Sequence, residues 1–448
     1  MFVKFWGTRG SLPKSGPGTI RYGGNTSCVE VRTSRDTLVM IDCGSGAHAL
    51  GQDILKRPDM PKRGHILISH THWDHIQGFP FFAPLFIPGM EWDIYGPRGV
   101  GKSLQEALAG QMQYTYFPVS LDNMMATIRF HDLVEGQFEI DDVTVHTRYL
   151  NHPALTLAYR LEADGSSVSY ACDHEPHSHD LAVGEGSVCG PDMAHAEFLA
   201  YSDLVIHDAQ YTPDEYRKKV GWGHSTPGYA ARICTHAGVG QLALTHHDPV
   251  SVDEDIDGML ATCRKNDLKP SDKLKVIAAG DQLAVELPRR LKRKTPSREQ
   301  RSALAPAQTP AAGSVMLLVH DPDRLHVFEQ ALKAEDLPTA VPADRQELEE
   351  KIRSEKPALV VISEDAFAEG WRDLDDWLGS VAEDIPVLLL GDASQLTTDL
   401  PENAEWLIAP FTNEYLRTRL QSAILRASNR DMPKAKQGWT RKFLSRSS

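Results

Sequence analysis

The segment ILISHTHWDHIQGF, residues 66–79, places three histidines and an aspartate within six positions, directly after an apolar run. His70 and His72 stand two apart where a buried strand is expected to end, and Asp74 and His75 open the next helix, so the four side chains can converge on one small volume. Four donors there suit two ions better than one, because a tetrahedral zinc site with an open position takes three protein ligands. Imidazole with carboxylate suits Zn²⁺, Mn²⁺ or Fe²⁺, and residue type alone does not choose among them.

The chain around this turn has 448 residues, a length that predicts two or three domains with room for a real core. MFVKFWGTRGS passes straight into a strand pattern with no apolar stretch of a secretory signal, and no run reaches the length of a membrane span. Cys28, Cys43, Cys172, Cys189, Cys234 and Cys263 show no CxxC spacing, which reads as reduced thiols of a cytoplasmic protein.

Charge divides the chain. Residues 1–288 carry 24 basic and 36 acidic side chains, 289–313 carry 7 and 1, 314–428 carry 10 and 23, and 429–448 carry 6 and 1. Two acidic bodies are thus joined and trailed by basic segments. In 1–288, β-branched runs such as SCVEVRT, TLVMIDCG and HILISH alternate with helical patterns, the order of an α/β layered domain. RRLKRKTPSREQRSALAPAQTPAAGS reads as a solvated tether. From 314, VMLLVHDPDRLHVFEQALKAE, ALVVISED and IPVLLLGD alternate strand with helix, as in a small doubly wound sheet. The tail from 429 is polar and basic and is expected to be disordered, with Trp439 and Phe443 as docking points.

HTHWDH resembles the HxHxDH motif of the metallo-β-lactamase fold, and matching features run from Met1 to about Leu287. The resemblance implies an αββα sandwich, two β-sheets packed face to face between helices, with two divalent metal ions at one edge. It implies that His152, in YLNHP, joins His70 and His72 on the first metal, and that Asp173, in SYACDHE, bridges the two. His246, in QLALTHHDP, then completes the second site with Asp74 and His75; His247 is the competing choice. Asp42, in VMIDCGSG, is implied to orient a ligand imidazole through its far nitrogen. The aspartate where true β-lactamases use cysteine points to the hydrolase branches of the fold.

Two metals can hold a hydroxide nucleophile at neutral pH. DLVIHDAQY and VGWGHSTP are similar to paired motifs of the ribonuclease Z and cyclic-nucleotide phosphodiesterase branch. That match implies His224 as general acid toward the leaving oxygen, oriented by Asp208, with His207 beside it; imidazole suits the task because it titrates near the working pH. GTRGSLP and RYGGNTSC also resemble this branch, and Arg9, Arg21 and Asn25 are expected to meet phosphate. The sequence departs from ribonuclease Z in lacking a long Gly- and Pro-rich arm between His152 and His207, and an acidic catalytic domain disfavours long polyanions. The expected substrate is therefore a small, cyclic nucleotide phosphodiester. A nuclease on short or single-stranded RNA or DNA, aided by the basic segments, and a nucleotide-binding signalling protein without turnover are the alternatives.

Residues 314–428 resemble a flavodoxin-like response-regulator receiver that has lost its chemistry. Ser363 stands where the phosphoacceptor aspartate belongs, His320 precedes Asp321 where an acidic pair is usual, and Ala409 replaces the lysine. Such a pseudo-receiver is expected to form a homodimer, dock a partner protein or cover the active site.

Overall fold

The computed structural model describes residues 1–99, 102–289, 314–334, 337–363, 377–378, 385–392, 404–409 and 413–428. The tether beyond Arg289 and the tail from 429, with Trp439 and Phe443, lie outside the described residues. The chain divides into two compact units, Met1–Val188 with Phe198–Pro306, and Cys189–Glu197 with Ala307–Ser448.

The first unit holds two seven-stranded sheets. One contains β1 (Phe2–Gly7), β2 (Cys28–Arg32), β3 (Leu38–Ile41), β4 (Arg63–Leu67), β5 (Glu91–Pro97) and β6 (Thr127–Leu133), with β14 (Ala284–Glu286) beside β1. The other runs from β7 (Gly136–Ile140) through β8 (Val143–Tyr149), β9 (Leu157–Ala163), β10 (Ser166–Ala171), β11 (Leu204–Asp208) and β12 (Gln241–Thr245) to β13 (Lys275–Ala278). Each sheet begins antiparallel and turns parallel, at β3 in the first and at β10 in the second.

Sequence explains this division. β3 and β11 are buried at every position, as strands covered on both faces must be. β8, VTVHTRY, instead alternates buried and partly exposed residues, the period-two pattern of a half-covered strand. Leu38 and Met40 of β3 pack in a core with Leu50 and Ile54 of the helix Gly46–Lys56, while Val39 and Ile41 are equally buried on the opposite face. Between the sheets, the Tyr159 hydroxyl of β9 donates to the Ile68 carbonyl at 2.6 Å. Trp92 is fully buried and meets the Phe82 ring edge-on at 4.9 Å; truncating it to alanine is expected to cost about 3–5 kcal/mol.

The second unit has a parallel sheet of β15 (Val315–Leu318), β16 (Thr339–Ala340), β17 (Leu359–Ser363), β18 (Val387–Asp392) and β19 (Ala404–Ala409), in the order β16-β15-β17-β18-β19. This is the 2-1-3-4-5 strand order of one kind of doubly wound sheet. Ser363 ends β17 and its hydroxyl donates to the Leu318 carbonyl at 3.2 Å. Asp321 accepts from the Asp323 and Arg324 amides, both at 3.0 Å, at the start of the helix Pro322–Ala334. No helix among the described residues is long and apolar enough to cross a membrane.

Candidate metal centre

The residues singled out in the sequence gather where strands of both sheets end. Asp42 follows β3, His70 lies just beyond β4, His152 beyond β8, Asp173 beyond β10, and His246 directly after β12. Loops at the carboxyl ends of strands are where α/β sheets bind ligands. Asp42, Asp173 and His246 all have positive φ, 58°, 62° and 61°, a left-handed conformation that is uncommon for residues other than glycine. Their backbones turn sharply at the strand ends; Asp173 meets His246 at 3.2 Å, and Asp42 meets His75 at 2.7 Å.

Among the described residues, donor atoms fall into three overlapping groups within 4.8 Å of one another: His70, His72, His152 and Asp173; His75, Cys172, Asp173 and His246; and Asp173, Asp208, His224 and His246. Asp173 belongs to all three. Asp74 joins the second, with Oδ2 3.1 Å from His246 Nε2 and 3.3 Å from His75 Nε2. Cys172 is the member that sequence reading missed. Burial pushes its thiol well above the ordinary value; Asp74 offers a carboxylate oxygen to the same two imidazoles.

The outward nitrogens explain why the inward ones suit a cation. His75 Nδ1 lies 2.7 Å from Asp42 Oδ2, His152 Nδ1 2.9 Å from the Gly223 carbonyl, His246 Nδ1 2.9 Å from Gln210 Oε1, and His70 Nδ1 3.1 Å from Ser69 Oγ. A carboxylate, a carbonyl and an amide oxygen can only accept, so the protons of His75, His152 and His246 sit on Nδ1 and their Nε2 lone pairs face inward. His75 Nε2 and His246 Nε2 then oppose each other at 3.4 Å, and His152 Nε2 faces His72 Nδ1 at 3.2 Å. Each pair needs a proton or a metal ion between its two nitrogens. His70 Nε2 lies 3.4 Å from Asp173 Oδ2, and Asp173 Oδ1 lies 3.3 and 3.2 Å from His75 Nε2 and His246 Nε2; neither buried atom has a well-formed hydrogen bond among the described residues, and a metal ion would satisfy both. The residues present therefore fit a pair of divalent ions.

Electrostatics agree. Burial pushes His152 down to about 3, which keeps its lone pair free. Burial also opposes charge on His75, yet Asp74, Asp173 and Asp42 together hold it well above its ordinary value, so without a metal a second proton takes the Nε2 position; the centre attracts positive charge.

Beside this cluster, His224 Nδ1 lies 2.6 Å from Asp208 Oδ2. Burial disfavours charge on His224, but Asp208 outweighs it and raises the imidazole to about 9. The His224 ring stacks on His246 at 4.9 Å and meets His152 edge-on at 5.4 Å. Asp208 Oδ1 accepts from the Gln210 and Ser225 amides, each at 3.1 Å. Two residues on, Thr226 accepts from the Tyr229 amide and Pro227 opens the helix Pro227–His236, a cap and first-turn proline that fix where the loop stops.

Other expected residues lie elsewhere. His247 donates to the Ala279 carbonyl at 2.8 Å rather than joining the cluster. His207 precedes Asp208 on β11 and so points to the opposite face; its Nδ1 donates to the Asp208 carbonyl at 2.7 Å and its ring packs by Tyr229. The expected phosphate contacts serve the protein's own hairpin instead. Arg9 is fully buried and donates to the carbonyls of Gly23, Asp248 and Ser251. Arg21 pairs with Asp257 at 2.6 Å, and Asn25 donates to Asp281 at 2.9 Å. What the hairpin brings to the site is backbone: the Ser11 amide donates to Asp74 Oδ2 at 2.7 Å.

Residues 37–247, which span every proposed ligand, match the model of the β-lactamase superfamily domain. Ribonuclease Z of Prochlorococcus marinus (strain MIT 9303) is 26% identical over 289 residues, covering 56% of this chain and 87% of that protein. Ribonuclease BN of Cronobacter sakazakii is 26% identical over 306 residues, covering 59% and 94%. Among solved structures, the metallo-β-lactamase fold protein YhfI from Bacillus subtilis overlays with a TM-score of 0.45 at 19% identity, over 63% of this chain and 98% of that one. Human tRNase Z, short form, gives 0.44 at 20%, over 64% and 100%. Residues 37–247 thus match a β-lactamase superfamily domain, set in an α/β fold of two sheets and helices, and these similarities support a metal-dependent hydrolase.

Proposed function

We propose that the chain is a phosphodiesterase that uses two divalent ions and cleaves a small nucleotide phosphodiester. His70, His72 and His152 would hold one ion, His75, Asp74 and His246 the other, and Asp173 both. Divalent ions bound there supply Lewis acidity and lower the pKa of water toward neutrality. His224 is the observation that carries the reading. Its Nδ1 is engaged by Asp208, which leaves Nε2 to meet substrate, and its proton is held by that carboxylate. A proton donor beside a metal pair suits the departure of an alkoxide.

A nuclease reading is favoured by the relatives named ribonuclease Z and ribonuclease BN. The net charge of residues 1–288, 24 basic against 36 acidic, favours the smaller substrate, because long polyanions need basic surfaces. The test is turnover of bis-p-nitrophenyl phosphate, nucleotide phosphodiesters and single-stranded RNA by full-length protein loaded with Zn²⁺ or Mn²⁺. Hydrolysis of the small diesters with little dependence on salt supports the first reading. Preference for RNA, falling steeply with salt, supports the second, and no hydrolysis of any phosphodiester removes both.

For the second unit, the strand order and the position of Ser363 at the end of β17 support a receiver that cannot take up phosphate. Exposure to acetyl phosphate is expected to leave that unit unmodified.

A further inference from the structure

Two residues beyond Asp173 lies Glu175, only 5% exposed. Its Oε1 accepts from the Gly221 amide at 2.7 Å and the Tyr216 hydroxyl at 3.2 Å, and its Oε2 accepts from the Gly223 amide at 2.7 Å. Its main chain is tied as closely to the segment that carries His152: its amide donates to the Asn151 carbonyl at 2.7 Å, and its carbonyl accepts from Asn151 Nδ2 at 3.0 Å. One residue therefore ties together the loops after β8 and β10 and the loop that leads into His224.

The held loop is Gly221–Trp222–Gly223. Both glycines have positive φ, 85° and 88°, which glycine adopts without steric penalty. A Cβ on Gly223 would lie 2.2 Å from His152 Nδ1, so that position also needs glycine for the close approach. With the Gly223 amide anchored on Glu175, its carbonyl faces His152 Nδ1 at 2.9 Å. That contact fixes the tautomer that turns the His152 Nε2 lone pair inward. Two loop amides held at 2.7 Å on one buried carboxyl make a firm anchor.

We propose that Glu175 is a positioning residue of the metal centre, acting through the Gly223 carbonyl on His152. The inference rests on the reading of His152 as a ligand. Glu175→Gln is the sharpest substitution. It preserves size, but its amide nitrogen can only donate, so one of the two loop amides loses its acceptor.

The experiment titrates metal-depleted full-length protein with Zn²⁺ against a chromophoric chelator, and records the visible spectrum of the Co²⁺-loaded form, with thermal unfolding as a check on the fold. Tyr216→Phe is the control, since it removes a partner of the same carboxylate and leaves both loop amides held. Glu175→Gln is expected to fold, to bind its weakest-held ion about 10–100-fold less tightly and to shift the Co²⁺ bands, while Tyr216→Phe does neither. Should the glutamine variant fail to fold, Glu175→Asp, which keeps the charge but is too short for both amides, is expected to show the same loss. Wild-type affinity and spectrum in the folded Glu175 variant overturn the proposal, as does an equal loss in Tyr216→Phe. A wild-type protein that takes up no Zn²⁺ removes the metal reading itself.

Discussion

The Tyr170 hydroxyl of β10 donates to Asp42 Oδ2 at 2.7 Å, reaching from one sheet to a residue that follows β3 of the other. The same carboxylate oxygen lies 2.7 Å from His75 Nδ1, and Oδ1 accepts from the Ser69 amide at 2.6 Å. Asp42 thus holds a candidate ligand against both sheets. Replacing it with asparagine keeps its size but not its charge, and is expected to weaken metal binding about 10–100-fold. Metal analysis of the dialysed variant checks this; full retention of two ions would count against the role.

His224→Ala removes the proton donor without removing a proposed ligand. Turnover is expected to fall about 10²–10⁴-fold with metal content unchanged. Loss of metal along with activity would place His224 among the ligands instead.

Trp222 is 61% exposed although the backbone on either side of it is anchored to Glu175. Lys219 Nζ lies 5.8 Å from its ring and 4.1 Å from that of Tyr211, and Tyr211 meets His224 edge-on at 5.6 Å. An aromatic face on a fixed loop near the proton donor suits a nucleobase. Stacking is worth about 1–3 kcal/mol per base, so Trp222→Ala is expected to raise KM for a dinucleotide by roughly 10-fold or more. An abasic counterpart should show no such change, and an equal effect on both substrates would argue against stacking.

Asp281 gives a pH dependence outside the metal cluster. Burial pushes its carboxyl up from 3.8 to about 6, although the Asn25 and Gly24 amides and Arg9 favour the charged form. The folded state holds this proton more tightly than the unfolded chain does. Its contribution is therefore fully present below about pH 4 and lost as pH rises through about 6, an effect of up to about 3 kcal/mol. Asp281→Asn is expected to remove this component. Thermal unfolding of both proteins between pH 4 and 7 should show their difference change with pH, and a constant difference would refute it.

The proposed ligands were legible because HTHWDH is local and the remaining donors each end an apolar strand pattern. The groups that hold them were harder to read. Gln210 supports His246 from 36 positions away, and the Gly223 carbonyl supports His152 from 71. A carbonyl leaves no trace in residue type, and Glu175, beside the expected Asp173, looks in sequence like any other acid. Arg9 was hard to read for a related reason. A guanidinium in a Gly-rich turn suggests phosphate, but residue type does not reveal that it also donates to carbonyls some 240 positions distant. In the second unit, strand alternation was legible.

Asp173 lies in every donor group, so filling the centre would not be two independent events. A first ion held there would neutralise a charge that a second would otherwise feel, and would also pin the carboxylate that the second would share. Occupancy at one position therefore changes affinity at the other, and by reciprocity the reverse holds to the same degree. A titration of this protein should be described by coupled constants, with the sign of the coupling set by whether pinning outweighs repulsion.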